Sequence, residues 1–224
     1  MAFLSAALEA DALIRAEPER SSELIGSVTG IEPEVVYLFH GPAGLQTRDF
    51  TWKPEFRQAL NTAIGTLKLL KKTDVDLDDQ RVVDDRFLRQ AFTGAGLDYE
   101  AKLKDYAPLP VLGDDALTGA PLAEPKLVAQ VWLAGEAKVR AYASPRTALS
   151  ALKDAEAKGG KARVVYVHDR TSGLKLFAER VWYVLGDDGS LSAFLLKPDA
   201  EAHAQSAGGK VVDFTAAKNA ATAK

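Results

Sequence analysis

Apolar residues recur at helical spacing from the start of the chain. Phe3, Ala7, Ala10 and Ile14, flanked by Leu4, Leu8 and Leu13, make one stripe and predict an amphipathic helix. Glu9 and Asp11 cut the apolar run and no basic segment precedes it, so this start does not read as a secretion signal. Pro18 suits the first turn of a second helix, with Leu24, Ile25 and Val28 as its apolar side and Gly30 as a left-handed cap. Pro33 starts a third helix that ends near His40. Residues 41–50, GPAGLQTRDF, read as loop. A longer helix is predicted from residue 54 to about 72. Phe56, Leu60, Ile64, Leu67 and Leu70 lie on one face, and Lys71 and Lys72 sit at its negative end. Residues 79–92 predict another helix with Val83, Phe87 and Leu88 inside, and Asp98 caps a short last helix that runs to Tyr106.

The period then changes. Residues 107–125, APLPVLGDDALTGAPLAEP, hold four prolines and little helical pattern, which marks a linker. Beyond it, residues 126–133 and 137–143 predict a hairpin around Ala134-Gly135-Glu136, with Trp132 and Tyr142 as strand-favouring aromatics. Ser144-Pro145 caps and starts a helix whose Ala148, Leu149, Leu152 and Ala155 face the sheet, and Gly159-Gly160-Lys161 returns to a strand. Residues 182–214 repeat that order: strand, the turn Gly186-Asp187-Asp188-Gly189, a strand with Ala193, Phe194 and Leu195, a helix opened by Pro198, then Gly208-Gly209-Lys210 and a strand. A single ββαβ unit of this length has too little core to stand alone, so the two are expected to pack together. The fold class is α+β: an all-helical segment over 1–106, a linker over 107–125, a duplicated ββαβ domain over 126–214, and a tail over 215–224 that has almost nothing to bury and reads as disordered.

Composition narrows the function classes. The 224 residues carry a net charge of -3, so no basic field exists to hold nucleic acid or an anionic membrane surface. No apolar run approaches the roughly 20 residues that cross a bilayer, so no membrane insertion is expected. The chain has no cysteine, which removes disulfides, thiolate metal sites and thiol nucleophiles together, and its one methionine is Met1.

Few residues carry candidate chemistry. Asp74, Asp76 and Asp78 fall at the first, third and fifth positions of a calcium loop, but Asp79 and Asp85 stand where that loop needs its glycine and its glutamate. Linker and helix-capping acids are the better reading. His168 and Asp169 sit where a strand meets the turn DRTSG and are the first candidates for a ligand or metal contact; Asp169 equally serves as a turn residue. His203, in the last predicted helix, is the third candidate, and it shares no short metal-binding spacing with His168 or His40. Asp187 and Asp188 read as hairpin-turn residues before they read as paired catalytic carboxylates. Trp132, Trp182 and Tyr183 read as core aromatics. No nucleophile elbow, Walker loop or dinucleotide fingerprint is present, so the chain reads as a non-enzyme with no catalytic residue and no required cofactor.

Two resemblances add to this reading. The segments VYVHDRTSGLKLFAERVWYV and LSAFLLKPDAEAHAQSAGGKVVDF, within residues 125–214, resemble the NosL family of nitrous oxide reductase accessory proteins, which carry copper. That resemblance implies copper(I) held by cysteine, methionine and histidine, with a methionine-bearing stretch between the strands of the second hairpin. Here that stretch is Gly186-Asp187-Asp188-Gly189-Ser190, without sulfur, and copper(I) is a soft ion that prefers sulfur. The segments FLSAALEADALIRAEPERSSELIGSVTGIEPEVV, FRQALNTAIGTLKLLKK and DDRFLRQAFTGAGLDYEAKLKDY resemble the closing helices of periplasmic substrate-binding proteins of ABC importers, nearest to the nitrate, alkanesulfonate and taurine group. This implies a periplasmic piece of a longer exported protein whose partner is an ABC-transporter permease or another periplasmic protein. Together the two imply a transport-associated binding protein with an appended NosL-like domain, or a copper-handling accessory protein that lacks the usual sulfur ligands.

Overall fold

The structure, a computed structural model, describes residues 2–46 and 50–221. It is a mixed α+β chain in two compact units whose border does not follow the predicted linker. One unit takes residues 1–13 and 48–107, the other residues 14–47 and 108–224. The predicted helical half is therefore split, and its second and third helices belong with the strands.

The helical unit holds the first part of α1 (Ala2–Ala16), α4 (Pro54–Leu69), α5 (Asp79–Val82), α6 (Arg86–Gly94) and α7 (Tyr99–Leu103). Its core is small: Leu8, Ala91, Phe92 and Tyr99, with Leu4, Leu88 and Leu103 against them. The α1 stripe is rotated from the predicted one, because Leu4 and Leu8 point inward while Phe3 is 81% exposed. On α4 only Ile64 of the predicted face is buried; Phe56, Leu67 and Leu70 are exposed. The predicted helix over 79–92 breaks at Val83, which is extended (φ -94°, ψ 118°). Charge pairing explains the break: Asp79 and Asp85 both hold Arg57, and Asp84 folds back on Arg86. The acids of the calcium reading serve the same purpose, since Asp78 caps α5 through the Arg81 amide (2.9 Å) and Asp76 pairs with Lys68. Asp98 caps α7 as expected, accepting from the Ala101 amide at 3.0 Å.

The second unit contains α2 (Pro18–Thr29), α3 (Pro33–His40), β1 (Ala129–Leu133), β2 (Arg140–Tyr142), α8 (Pro145–Ala157), β3 (Ala162–His168), β4 (Lys175–Phe177), β5 (Trp182–Leu185), β6 (Leu191–Phe194), α9 (Lys197–Ala207), β7 (Lys210–Val212) and α10 (Phe214–Ala220). Two antiparallel sheets form, in the orders β2-β1-β3-β4 and β6-β5-β7. In each, the first strand of a hairpin takes a third strand, delivered by a helix, on its other edge. Ser144 and Thr147 form a capping box at the start of α8.

Alternation along the strands sends Ala129, Val131, Val165 and Val167 of the first sheet, and Tyr183, Leu191 and Ala193 of the second, into one shared core with Ala148, Leu149 and Leu152 of α8. The outer face of the second sheet, Val184 and Phe194, is covered by α9 through Ala200. The outer face of the first is covered by α3, whose Tyr37 and Leu38 pack on Trp132 and Tyr166. The inward side of α2 differs from the predicted one: Leu24 and Val28 face solvent, and Glu19, Ser22 and Gly26 are buried. Small residues are needed there, because a Cβ on Gly26 would come within 2.7 Å of the Ile31 carbonyl in the turn to α3. Gly30 makes that turn as a left-handed cap, φ 75°.

Two stretches read as unstructured are ordered. In the predicted linker, buried Asp115 accepts from the amides of Leu117 (2.8 Å), Thr118 (2.9 Å) and Ala143 (2.7 Å), which ties the stretch to the end of β2. At the predicted tail, Asp213 just before it caps α10, and Ala217 and Ala221 within it enter the shared core. Small alanines suffice to bury this helix, so a low content of large apolar residues misleads; residues 222–224 of that stretch lie outside the described residues. Replacing Asp115 by alanine leaves three inward amides without their acceptor. The Asp115→Ala chain is expected to lose about 2–4 kcal/mol of stability, read as a lower urea midpoint at unchanged slope.

Candidate functional site

Residues on the outer face of the first sheet bring the chemistry-bearing side chains of β1, β3 and β4 under α3. Gln130 pairs with Tyr166 across β1 and β3, and His168 pairs with Lys175 across β3 and β4. Period two then puts Gln130, Trp132, Tyr166, His168, Lys175 and Phe177 on one side. Tyr37 of α3 lies over them, its ring 5.6 Å from Trp132 and 5.5 Å from Tyr166.

Lys175 is fully buried. Its Nζ donates to the Pro42 carbonyl at 3.1 Å and lies 4.0 Å from the Tyr37 ring and 4.5 Å from the Tyr166 ring. Among the described residues it has no carboxylate partner. Burial holds its amine well below the usual lysine range, with Glu19 opposing from a distance. Burial also raises the hydroxyls of Tyr37 and Tyr166 above the usual tyrosine range. The Tyr166 hydroxyl donates to the Glu34 carbonyl at 2.7 Å, and the Gln130 amide donates to the Tyr37 hydroxyl at 3.1 Å.

His168 is buried beside this lysine. Its Nδ1 is 2.7 Å from the Val128 carbonyl, so Nδ1 carries the proton and Nε2 is left as an acceptor. Among the described residues, neither Nε2 nor the Gln130 Oε1 has a hydrogen-bond partner. Burial lowers the imidazole below the usual histidine range; the Val128 carbonyl opposes this and Lys175 adds to it. His168 is therefore neutral at pH 7.

Asp169, one residue on, points elsewhere. One carboxylate oxygen accepts from the Ser172 amide (2.7 Å) and hydroxyl (2.6 Å), the other from the Leu195 amide (2.9 Å) just past β6. With the Arg170 amide on the Ala193 carbonyl (2.8 Å), it joins the end of β3 to the second sheet. Burial alone would raise its carboxyl, but the hydrogen bonds from Ser172 and Leu195 outweigh that and leave it below the usual carboxylate range. Asp169 and His168 thus point to different partners, and both oxygens of Asp169 are engaged in hydrogen bonds.

His203 stands on α9 with its ring 5.1 Å from Phe194. It lines a cleft of about 400 Å³ with Asp187, Asp188, Ser190 and Ser192. The residues proposed as a turn and the isolated histidine are thereby brought to one place. Among the described residues, no three histidine or carboxylate side chains stand close enough to hold a metal ion together. Trp182, read as core, is 37% exposed beside Lys197; Trp132 and Tyr183 are buried. A further cavity of about 950 Å³ lies in the helical unit between Trp52, Asn61 and Tyr106. Its arginines, Arg57 and Arg89, are already held by Asp79, Asp85 and Glu100.

Sequence reasoning missed Lys175, Tyr37 and Gln130. One signal existed: in LKLF, Lys175 falls on the same strand phase as Phe177.

The role of Asp169 can be measured. Its carboxyl titrates lower in the folded chain than the roughly 3.9 of an unfolded aspartate. Its stabilisation is therefore complete above that value and is lost as pH falls through the folded pKa. Asp169→Ala is expected to cost about 2–4 kcal/mol at pH 7, and Asp169→Asn to flatten the acid limb of the stability profile, both measured by urea unfolding between pH 2 and 7.

No family model matches the chain, and no curated protein matches it. Among solved structures it is similar to the crystal structure of the copper chaperone NosL from Shewanella denitrificans, with 26% identity over 50% of this chain and 94% of that one, at a TM-score of 0.43.

Proposed function

We propose that this chain is a non-enzymatic binding protein built on a NosL-like scaffold that has exchanged soft-metal ligands for oxygen donors. The supporting residues are the segments around VYVHDRTSG and LSAFLLKPDAEAHAQSAGGKVVDF together with the two similarly wired sheets, which we read as one duplicated ββαβ unit. One observation carries the ligand chemistry. The hairpin where the resembled family bears methionine is here Gly186–Ser190, and its Asp187 and Asp188 open onto the cleft that His203 lines. Oxygen and imidazole donors suit borderline and hard cations or polar partners, and copper(I) poorly.

A reading as an enzyme has less support: the Nε2 of His168 is buried with no hydroxyl or thiol in hydrogen-bond reach among the described residues, and Asp169 is held at the sheet junction. Periplasmic placement and an ABC-importer partner rest on the sequence segments alone. The substrate-binding-protein resemblance also draws on α2 and α3, which here pack on the sheet.

A second reading, copper handling without sulfur, would draw on His203, which lines one cleft with Asp187 and Asp188 although the three do not stand close enough to hold an ion together. Titration against a competing chelator separates the two. The expected result is no stoichiometric copper(I) binding at submicromolar concentration and, at most, weak copper(II) binding that His203→Ala abolishes. Submicromolar copper(I) binding lost on His168→Ala would overturn the proposal.

A further inference from the structure

The buried lysine under α3 is where the fold departs furthest from ordinary packing. A lysine is almost never fully buried without a carboxylate partner. Lys175 has two aromatic faces and one carbonyl, and its cross-strand neighbour His168 is also titratable and buried. The helices above are held differently. Besides the packing of Tyr37 and Leu38 on the sheet, polar contacts hold them at the rim: Glu23 of α2 and Glu34 of α3 both hold Arg163 of β3, and buried Glu19 of α2 accepts from Lys138 (3.1 Å) and the Val139 amide (3.0 Å). Arg163 also lies over the Trp132 ring at 4.4 Å. Glu17, before α2, leaves helical geometry, and Ala43, past α3, sits at φ 52°, a conformation an alanine adopts only under constraint.

We infer that α2 and α3 form a proton-released cover over the Lys175–His168 face of the first sheet, opening as pH falls and exposing Gln130, Trp132, Tyr166 and Phe177. In the closed state Lys175 is enclosed by Tyr37 of α3, Tyr166 of β3 and the Pro42 carbonyl, none of which is an anion. The titratable and charged groups on the elements packed around it are Glu19 and Glu23 on α2, Glu34 and His40 on α3, Lys138 after β1, and Arg163 and His168 on β3; of these Glu19 acts on the amine from a distance and His168 is its cross-strand neighbour. Lifting α3 gives the amine water in place of a carbonyl and two rings, so the open form takes up a proton that the closed form resists. Falling pH therefore favours opening, first through Lys175 and then through His168. Each proton gained on opening changes the opening constant by about tenfold per pH unit, between the closed and open pKa values of the group.

The test is amide hydrogen exchange of α3 in the full chain, corrected for intrinsic rates, from pH 9 to 6. The wild-type opening constant for the Tyr37 and Leu38 amides is expected to rise as pH falls, while the amides of β1 and β3 stay protected. Lys175→Met, apolar and close in length, is expected to lower the opening constant and flatten its slope. Arg163→Met removes the rim anchor without touching the lysine, and is expected to raise opening at every pH with the slope kept. The inference is overturned by an unchanged slope in Lys175→Met, by α3 exchanging only together with β1 and β3, or by Arg163→Met leaving α3 protection as it was.

Discussion

An antiparallel sheet whose two faces both carry large side chains must be covered twice, and that requirement organises the second unit. The inner face of the first sheet is met by α8 in the core shared with the second sheet. The outer face carries Trp132, Tyr166 and Phe177. Tyr37 and Leu38 of α3 cover it, from nearly a hundred residues upstream. This single contact moves α2 and α3 out of the helical half, places Lys175 in an aromatic enclosure, and explains why α2 turns a small, polar side inward. The second unit is thus a pair of sheets with a helical roof.

Hydrogen-bonded carboxylates do the remaining joining. Asp115 fastens the segment before β1 to the end of β2, and Asp169 fastens the end of β3 to the residue just past β6. Each is buried with its oxygens committed to amides, an arrangement that keeps a carboxylate charged inside a protein at moderate cost. Asp169 had looked like a functional residue because it follows a histidine at the end of a strand. The same position is where two sheets need a rigid connection, and the geometry gives it to the connection. His168 is the counterpart: its imidazole is half satisfied by a carbonyl and closed over by the roof. Chemistry open to solvent is left to the hairpin acids and His203, at the far side of the second sheet.

Local signals in the sequence were legible wherever the physics is local. The cap at Ser144, the left-handed Gly30, the cap at Asp98 and the Gly186–Gly189 turn each depend on neighbours within a few residues, and each appears as read. Faces of helices were less legible. Phe3, Leu24, Val28, Phe56 and Leu67 lie on predicted apolar faces and are exposed, because hydrophobicity says that a residue gains from burial without saying what will bury it. Runs poor in large apolar residues misled in the other direction, since Asp115 and the alanines of α10 reach the interior through amide contacts and close approach.

From its own order of residues, the chain determined two hairpins, two proline-started helices, their glycine returns and the absence of any sulfur ligand beyond Met1. Those follow from backbone preference and composition, which act over a few residues. Only the tertiary structure decided that α2 and α3 roof the first sheet, that Lys175 lies beneath them with no carboxylate partner among the described residues, and that His203 lines one cleft with the hairpin acids while His168 does not. These depend on which surfaces meet across a hundred residues of chain, and burial and desolvation take their value only once that meeting is made.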